Sequence, residues 1–302
     1  MVELRLGKIN NQERKFIPTK NTFLEEYLNN IQEIEEYELL QTYQNGYKYR
    51  RYNDHGIMKY TKNYKMDKIS EVEEITEDEF ETVLQHEKKY IRKTRKYYQD
   101  GMYEIDADYF LEPVSMIMIE VASEIAPLEE YQPPRGFIEV TNNKKYENLG
   151  IYHGSIIANH TILEGTDGVG KTVTIEKLLN EGIICQDRCM DMISKNMLFT
   201  ISMESRTKLY QQYLKKINKE IIILVNNDQR ELERRIKLRD HLSEFDKDTV
   251  AYNKLYLDTY LYMKEHNMLE NKLFLVDCTN LSLEEQVNAV RKIILKKEKV
   301  NI

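Results

Sequence analysis

The chain has 302 residues, 41% hydrophobic and 31% charged, with a formal net charge of -7; this length suggests two domains and this balance an ordinary folded protein with real cores. No run of about 20 apolar residues occurs, which excludes an evident membrane span. Met1-Val2-Glu3-Leu4-Arg5 lacks the apolar region of a secretory signal, so a cytoplasmic location is expected, and the acidic balance excludes a dominant nucleic-acid footprint.

Two helices are predicted in the first half. One covers Thr22 to Tyr37, with Phe23, Tyr27, Ile31 and Ile34 at helical spacing. The other opens at the capping box Thr76-Glu77-Asp78-Glu79, where Glu79 can reach back to the cap's N–H, and buries Phe80, Val83 and Leu84. The remainder reads as strand. Charges recur two residues apart at Glu13 and Lys15, Lys48 and Arg50, Glu71 and Glu73, Lys93 and Arg95, and Glu104, Asp106 and Asp108. Residues i and i+2 share one face of a strand. The other parity tends to be apolar, as at Tyr47 and Tyr49, Tyr103 and Ile105, and Ile138 and Val140 around Glu139. One such ladder is usually the wet face of a sheet. Several, mixing acid and base, suggest a charged lumen inside a closed barrel, with the apolar face outward under the helices. Cations there would grip phosphates and carboxylates would hold a divalent metal.

In this order the motifs resemble the CYTH domain of the triphosphate tunnel metalloenzymes over residues 9 to 150. Glu13-Arg14-Lys15-Phe16 resembles the first-strand signature, Lys48-Tyr49-Arg50 the next basic strand, and Tyr60-Thr61-Lys62 a lysine strand. Glu71-Val72-Glu73, Lys93-Thr94-Arg95, Ile105-Asp106 and Glu139-Val140-Thr141 follow, with Tyr146 and Asn148. The resemblance implies an antiparallel tunnel with flanking helices that binds a triphosphate. Its lining would be Glu13, Lys15, Lys48, Arg50, Lys62, Glu71, Glu73, Lys93, Arg95, Asp106, Glu120 and Glu139. Glu13, Glu120 and Glu139 would be ligands for Mg²⁺ or Mn²⁺. Two departures bear on hydrolysis. Asn11 stands where the family's first strand has its first Glu, and Glu120-Val121-Ala122 lacks the second carboxylate of a later pair. Fewer anionic ligands weaken a hard-cation site.

The pattern changes near Ile151-Tyr152-His153-Gly154-Ser155, between about Gly150 and His160, giving domains of 1–152 and 153–302. From there strands alternate with helices, which implies a doubly wound α/β fold. Thr161 to Glu164 is predicted as a strand, Lys171 to Asn180 as a helix, and Gly182 to Cys185, Ile221 to Val225 and Leu273 to Val276 as strands. Ser282-x-x-Glu285 is a second capping box, opening the last helix. Cys185, Cys189 and Cys278 have no metal-type spacing and read as reduced thiols.

Gly165-Thr166-Asp167-Gly168-Val169-Gly170-Lys171-Thr172 fits the phosphate loop G-x-x-x-x-G-K-[ST] without mismatch. Such a loop binds ATP through converging N–H groups and a helix N-terminus, with Lys171 on the β- and γ-phosphates and Thr172 on Mg²⁺. Over most of residues 160 to 297 the chain resembles the thymidylate kinase-like branch of nucleotide kinases. The resemblance rests on the E-G-x-D-G-x-G-K-[ST] type of loop and on Asp187-Arg188 in a D-R position. It is extended by Arg230, Arg234, Arg235 and Arg239 as a lid helix and by Leu275-Val276-Asp277 as a strand ending in Asp. It implies that Lys171, Arg234, Arg235 and Arg239 cover the transferring phosphoryl group, while Asp187 and Arg188 orient and clamp the acceptor. Only Val173 to Gln186 separates Thr172 from Asp187, much less than in the family, so thymidylate is not the implied acceptor. Met190 to Tyr213 or the first domain would rebuild that pocket.

Three functions follow as expectations. The first is a phosphate-handling enzyme in which an ATP-dependent kinase for a nucleotide or related acceptor is joined to a triphosphatase tunnel. The second is a kinase whose tunnel only recognises a triphosphorylated ligand, such as a nucleotide or an RNA 5′ end. The third is a nucleotide-responsive regulator. None implies a membrane partner or fixes an oligomeric state.

Overall fold

The computed structural model describes residues 13–64, 72–157, 161–187, 201–216, 220–238, 248–269 and 271–298. The chain divides into two units, Met1–Ala158 and Asn159–Ile302. Among the described residues no helix is long and apolar enough to cross a membrane.

In chain order the first unit contains β1 (Arg14–Pro18), α1 (Asn21–Leu28), β2 (Gln32–Gln44), β3 (Tyr47–Asp54), β4 (Ile57–Tyr64), β5 (Glu73–Glu74) and α2 (Glu77–Glu87). It continues with β6 (Ile91–Asp100), β7 (Tyr103–Glu112), β8 (Met116–Ala122), β9 (Phe137–Glu139) and α3 (Asn148–Tyr152). The strands form one nine-stranded sheet in the order β5-β4-β3-β2-β6-β7-β8-β1-β9, antiparallel throughout. No ladder joins the edge strands β5 and β9 among the described residues, so the backbone hydrogen bonds define a sheet with two edges.

The helix predicted over Thr22 to Tyr37 is corrected here. It stops at Leu28, and β2 begins at Gln32. From Glu35 onward each β2 residue has a partner on β6, Glu35 opposite Tyr97 through Gln41 opposite Ile91. That long-range ladder overrides a helical spacing carried by only four apolar residues. Ile34 falls at the register irregularity between Glu33 and Glu35 and is exposed.

The apolar parity of the sheet packs under helices. Phe16, Tyr98, Ile105, Ala107, Ile119 and Val121 meet Leu24 and Leu28 of α1. Leu40 and Tyr49 meet Phe80 and Val83 of α2. At the start of α2 the Thr76 hydroxyl accepts from the Glu79 N–H at 3.2 Å. The Glu79 carboxylate is engaged by Lys62 at 3.1 Å.

The second unit contains β10 (Ile162–Gly165), α4 (Lys171–Asn180), β11 (Gln186–Asp187), α5 (Met203–Lys216), β12 (Ile221–Val225), α6 (Gln229–Lys237), α7 (Thr249–Glu265), β13 (Leu273–Asp277) and α8 (Leu283–Glu298). Four parallel strands lie in the order β11-β10-β12-β13. All five residues of β12 are buried, as required of a strand covered on both faces. One face packs on Tyr210 and Leu214 of α5 and on Tyr256 and Met263 of α7. The strand predicted at Gly182 to Cys185 is displaced. Its place is taken by the two-residue β11, paired Ile162 to Gln186 and Leu163 to Asp187. Cys185 and Cys278 are free and buried, and Cys189 lies outside the described residues.

Phe80 has no exposure and Ile57 is 64% exposed. Phe80→Ala should therefore destabilise the first unit by about 3–5 kcal/mol in urea denaturation, and Ile57→Ala by less than about 0.5 kcal/mol.

Candidate functional site

Strand parity builds the charged face of the first unit. Lys15 on β1 lies opposite Glu120 on β8, and Glu120 lies opposite Asp106 on β7. Asp108 on β7 lies opposite Arg95 on β6, Arg95 opposite Tyr37 on β2, and Gln41 on β2 opposite Arg50 on β3. Acids and bases from five strands, with Tyr37 and Gln41 of β2 between them, are thereby brought onto one face of the sheet.

Asp108 is the hub. Its side chain has no exposure, and it accepts from Lys93 Nζ, itself 1% exposed. It also accepts two bonds from Arg95, Nε to Oδ1 at 2.6 Å and Nη2 to Oδ2 at 2.6 Å. Arg95 further donates to Asp106 at 2.5 Å and to Glu120 at 2.7 Å. Lys15 lies 2.9 Å from Glu120 and 3.6 Å from Glu13. Asn148, at the start of α3, accepts from Lys93 at 3.3 Å.

The electrostatics follow these pairs. Burial opposes ionisation of Glu120, but Lys15, Arg95 and Lys93 outweigh it and hold the carboxyl well below its usual range. Partial desolvation, of a side chain that is still 47% exposed, and the nearby Glu120 charge push Glu13 up. Desolvation pushes Asp106 up to about 6 even though Arg95 draws it down. Arg95 stays well above its ordinary value because Asp106, Asp108 and Glu120 overcome its burial. Lys93 is lowered by burial and by Arg95.

Arg50 differs from these cations. Its Nε is buried without a hydrogen-bond partner, and burial lowers its guanidinium. Lys48 lies two residues away on the same face, opposite Tyr43.

Three expected lining residues lie on the other face. Lys62 is opposite Tyr49 and Glu73, and it pairs with Glu73 at 3.3 Å and with Glu79 of α2 at 3.1 Å. The residue of β4 that shares Arg50's face is Thr61, which is buried. Glu139 is opposite Phe16, on the apolar parity. Arg14 takes both its oxygens, at 3.0 and 2.7 Å, and the Thr141 hydroxyl donates to it at 2.6 Å. Glu139 is therefore not grouped with Glu13 and Glu120 as a metal ligand. Asn11 and Glu71 lie outside the described residues. Asp108 and Asn148 were not among the expected lining residues. Asp108 was signalled by its i+2 spacing from Asp106, whereas Asn148 was named only in the closing segment of the resemblance and had no spacing signal.

In the second unit the loop between β10 and α4 approaches the neighbouring strand closely. A Cβ on Gly165, at φ +135°, would lie 2.3 Å from the Leu224 carbonyl oxygen, so only glycine fits. Lys171 is buried and its Nζ donates to the Gly165 and Thr166 carbonyls at 2.9 and 2.7 Å. The Thr166 hydroxyl donates to the Thr249 carbonyl of α7 at 2.9 Å. Asp167, Gly168, Val169 and Gly170 complete the turn into α4, where Thr172 is exposed. At the sheet position beside Leu163, Asp187 has a buried Oδ1 without a hydrogen-bond partner.

Of the expected lid residues, Arg234 is exposed and held by Glu231 at 2.7 Å. Arg235 is also held by Glu231 at 2.7 Å, and it reaches the Gly168 carbonyl at 3.5 Å. Arg188 and Arg239 lie outside the described residues, as does the 190–200 part of the Met190 to Tyr213 segment, the remainder of which runs into α5.

No protein-family model matches the chain, and no curated protein matches it. Among solved structures, the inorganic triphosphatase NE1496 aligns with 48% of this chain and 95% of its own, at 22% identity and a TM-score of 0.33. The protein PH1819 from Pyrococcus horikoshii OT3 aligns with 40% of this chain and 81% of its own, at 16% identity and a TM-score of 0.31. The part aligned with NE1496 is the N-terminal one, which contains the large antiparallel sheet with flanking helices.

Because Asp106 titrates higher folded than unfolded, its contribution to stability is present below about pH 4 and is lost as the pH rises through about 6. Asn at this position does not titrate. The stability of Asp106→Asn relative to wild type should therefore rise by about 1–3 kcal/mol between pH 4 and 7, measured by urea denaturation at each pH.

Proposed function

We propose that the charged face of the first unit binds a triphosphate and, with a divalent cation, hydrolyses it. The observation that carries this reading is Arg50, a guanidinium whose Nε is buried and unpartnered on the same face as Arg95 and Glu120. A buried donor left without a partner is costly, and a phosphate oxygen satisfies it with a charge-assisted bond. The density of charge supports the same reading. Replacing a buried ion pair with packed hydrophobic residues is often neutral or stabilising, so this much buried charge is poorly explained by stability.

Lys15, Lys48, Arg50, Lys93 and Arg95 would surround the phosphoryl oxygens. Glu13 and Glu120 fit a hard cation because Mg²⁺ needs only one or two carboxylates when substrate phosphates complete its shell. When bound, Mg²⁺ or Mn²⁺ would neutralise phosphoryl charge and lower the pKa of a water. With no cation bound, the Glu13 carboxylate, whose proton affinity is raised, would be the proton acceptor of the site. If a triphosphate is bound but not cleaved, the face is a recognition module for a nucleotide or an RNA 5′ end.

In the second unit the reading is an ATP-dependent phosphotransferase. The glycine turn leading into α4 and the buried Lys171 support ATP with Mg²⁺ at Thr172, and the unpartnered Asp187 oxygen supports an acceptor hydroxyl beside β10. Arg235 reaches this loop and would stabilise the transferring group. The acceptor class extends from nucleosides and nucleotides to RNA ends.

Wild-type protein with Mn²⁺ should release phosphate from tripolyphosphate. Glu13→Ala should reduce release at least about 100-fold and Arg50→Ala should weaken binding about 10- to 100-fold, while Lys171→Ala changes neither. A wild type that neither binds nor cleaves tripolyphosphate rules the reading out.

With γ-labelled ATP and pooled acceptors, label should move to an acceptor, and Lys171→Ala should slow the transfer by at least about 100-fold. Failure with nucleosides, nucleotides and RNA ends alike would favour a nucleotide-responsive regulator.

A further inference from the structure

The last helix holds a polar side chain that the phosphotransfer reading has not used. The Ser282 and Glu285 capping box is reciprocal, with the Ser282 N–H donating to Glu285 Oε2 at 2.8 Å and the Glu285 N–H to Ser282 Oγ at 3.3 Å. This fixes where α8 begins. The next residue, Gln286, is 2% exposed, too deep for its amide to rely on water. Its Nε2 donates to the Val169 carbonyl at 3.2 Å and to the Thr174 hydroxyl at 2.8 Å. The Thr174 hydroxyl in turn donates to the Gly170 carbonyl at 2.8 Å. The amide lies so close to the loop that a Cβ on Gly170, at φ +96°, would sit 3.1 Å from Nε2.

Peptide geometry turns this contact into a directional constraint. The peptide between Val169 and Gly170 is planar and trans, so its C=O and N–H point in opposite directions. Holding the Val169 oxygen against α8 therefore aims the Gly170 N–H away from α8. That N–H belongs to the set of donors which, in a loop of this sequence, must converge on an anion at the start of the helix. Arg235 at the Gly168 carbonyl acts on the preceding peptide in the same way, but at 3.5 Å and from a partly exposed side chain. Gln286 is the better-buried restraint, and it also braces the first turn of α4.

We propose that Gln286 is a positioning residue for the phosphate-binding loop: by tying back the Val169 carbonyl it presets the Gly170 N–H toward the nucleotide phosphates. This rests on the nucleotide-binding reading of the second unit. Gln286 does not touch the ligand. It acts by removing the need to reorient a peptide when phosphate arrives, so its loss should appear in nucleotide affinity more than in folding.

The experiment is calorimetric titration of the full chain with MgATP, together with urea denaturation of each variant. Gln286→Leu keeps the bulk and removes the amide; affinity should fall about 10- to 100-fold. Gln286→Glu separates positioning from simple damage. Its carboxylate cannot donate to a carbonyl, but the protonated acid can, so its affinity relative to wild type should recover as the pH is lowered from 8 to 5, while that of Gln286→Leu should not. Lys171→Ala reports on the underlying reading. If wild type binds no MgATP, or Lys171→Ala binds it equally well, the nucleotide reading and this inference both fail. If Lys171→Ala weakens binding but folded Gln286→Leu and Gln286→Glu match wild type at every pH, Gln286 has no positioning role. Should Gln286→Leu not fold, the pH profile of Gln286→Glu decides alone, a flat ratio to wild type overturning the proposal.

Discussion

The carboxylate of Asp108 has no contact with solvent and sits between two cations, one of which is itself almost fully buried. An ionised group in that position persists only with partners in good geometry, since taking it out of water costs several kcal/mol. Three strands are bound by that requirement. Lys93 and Arg95 must project from β6 beside Asp108 on β7, and Glu120 must come from β8 to complete the Arg95 shell. A one-residue slip of any of these strands would turn its charges into the apolar layer and its apolar residues onto the charged face. The ion network and the packing under α1 and α2 thus enforce the same register from opposite sides of the sheet.

The same network limits what a ligand can do. Arg95 already binds three carboxylates, and Lys15 and Lys93 are paired with Glu120 and Asp108. On the proposed reading a phosphate would have to exchange for carboxylates at these positions, which raises the electrostatic cost of the displaced acids. A divalent cation or a proton relieves that cost. Asp106 and Glu13, whose ionised forms are least favoured, are the acids best placed to accept one. At Arg50 no such exchange is needed at Nε.

How much of this was legible in the sequence depended on the range of the interaction concerned. The shared faces of Lys93 with Arg95, and of Asp106 with Asp108, follow from the two-residue period alone, and the structure brings them together. The face taken by Lys62, Glu73 or Glu139 depends on the register with a partner strand, which the period cannot supply. Lys62 follows Tyr49 and Glu139 follows Phe16, and each is drawn to a partner on that face, Glu79 or Arg14. The helix predicted to Tyr37 failed similarly: four apolar residues matched a helix, but pairing with β6 claimed the segment from Gln32. In the second unit the bounds of α4 and β12 agree with the local pattern because glycine turns and apolar runs mark them. Gln286 carries no local mark at all; its partner Val169 is 117 residues away.

The two units arrange their polar groups by opposite means. The first relies on side-chain charge on a rigid sheet, so its properties should follow pH and the identity of each ionised residue. The second relies on backbone dipoles, and its side chains act mainly on carbonyls: Lys171 on Gly165 and Thr166, Gln286 on Val169, Arg235 on Gly168. Each carbonyl tied back leaves the N–H of the same peptide facing the other way. Side chains that look like candidate ligands in the sequence therefore set the direction of the backbone in this structure. On the proposed reading that role of Lys171 would be temporary, because a phosphate would offer its ammonium a better partner than two carbonyls. For Gln286, buried and neutral, the proposal implies no such exchange, and its restraint on the Val169 carbonyl would persist with a nucleotide bound.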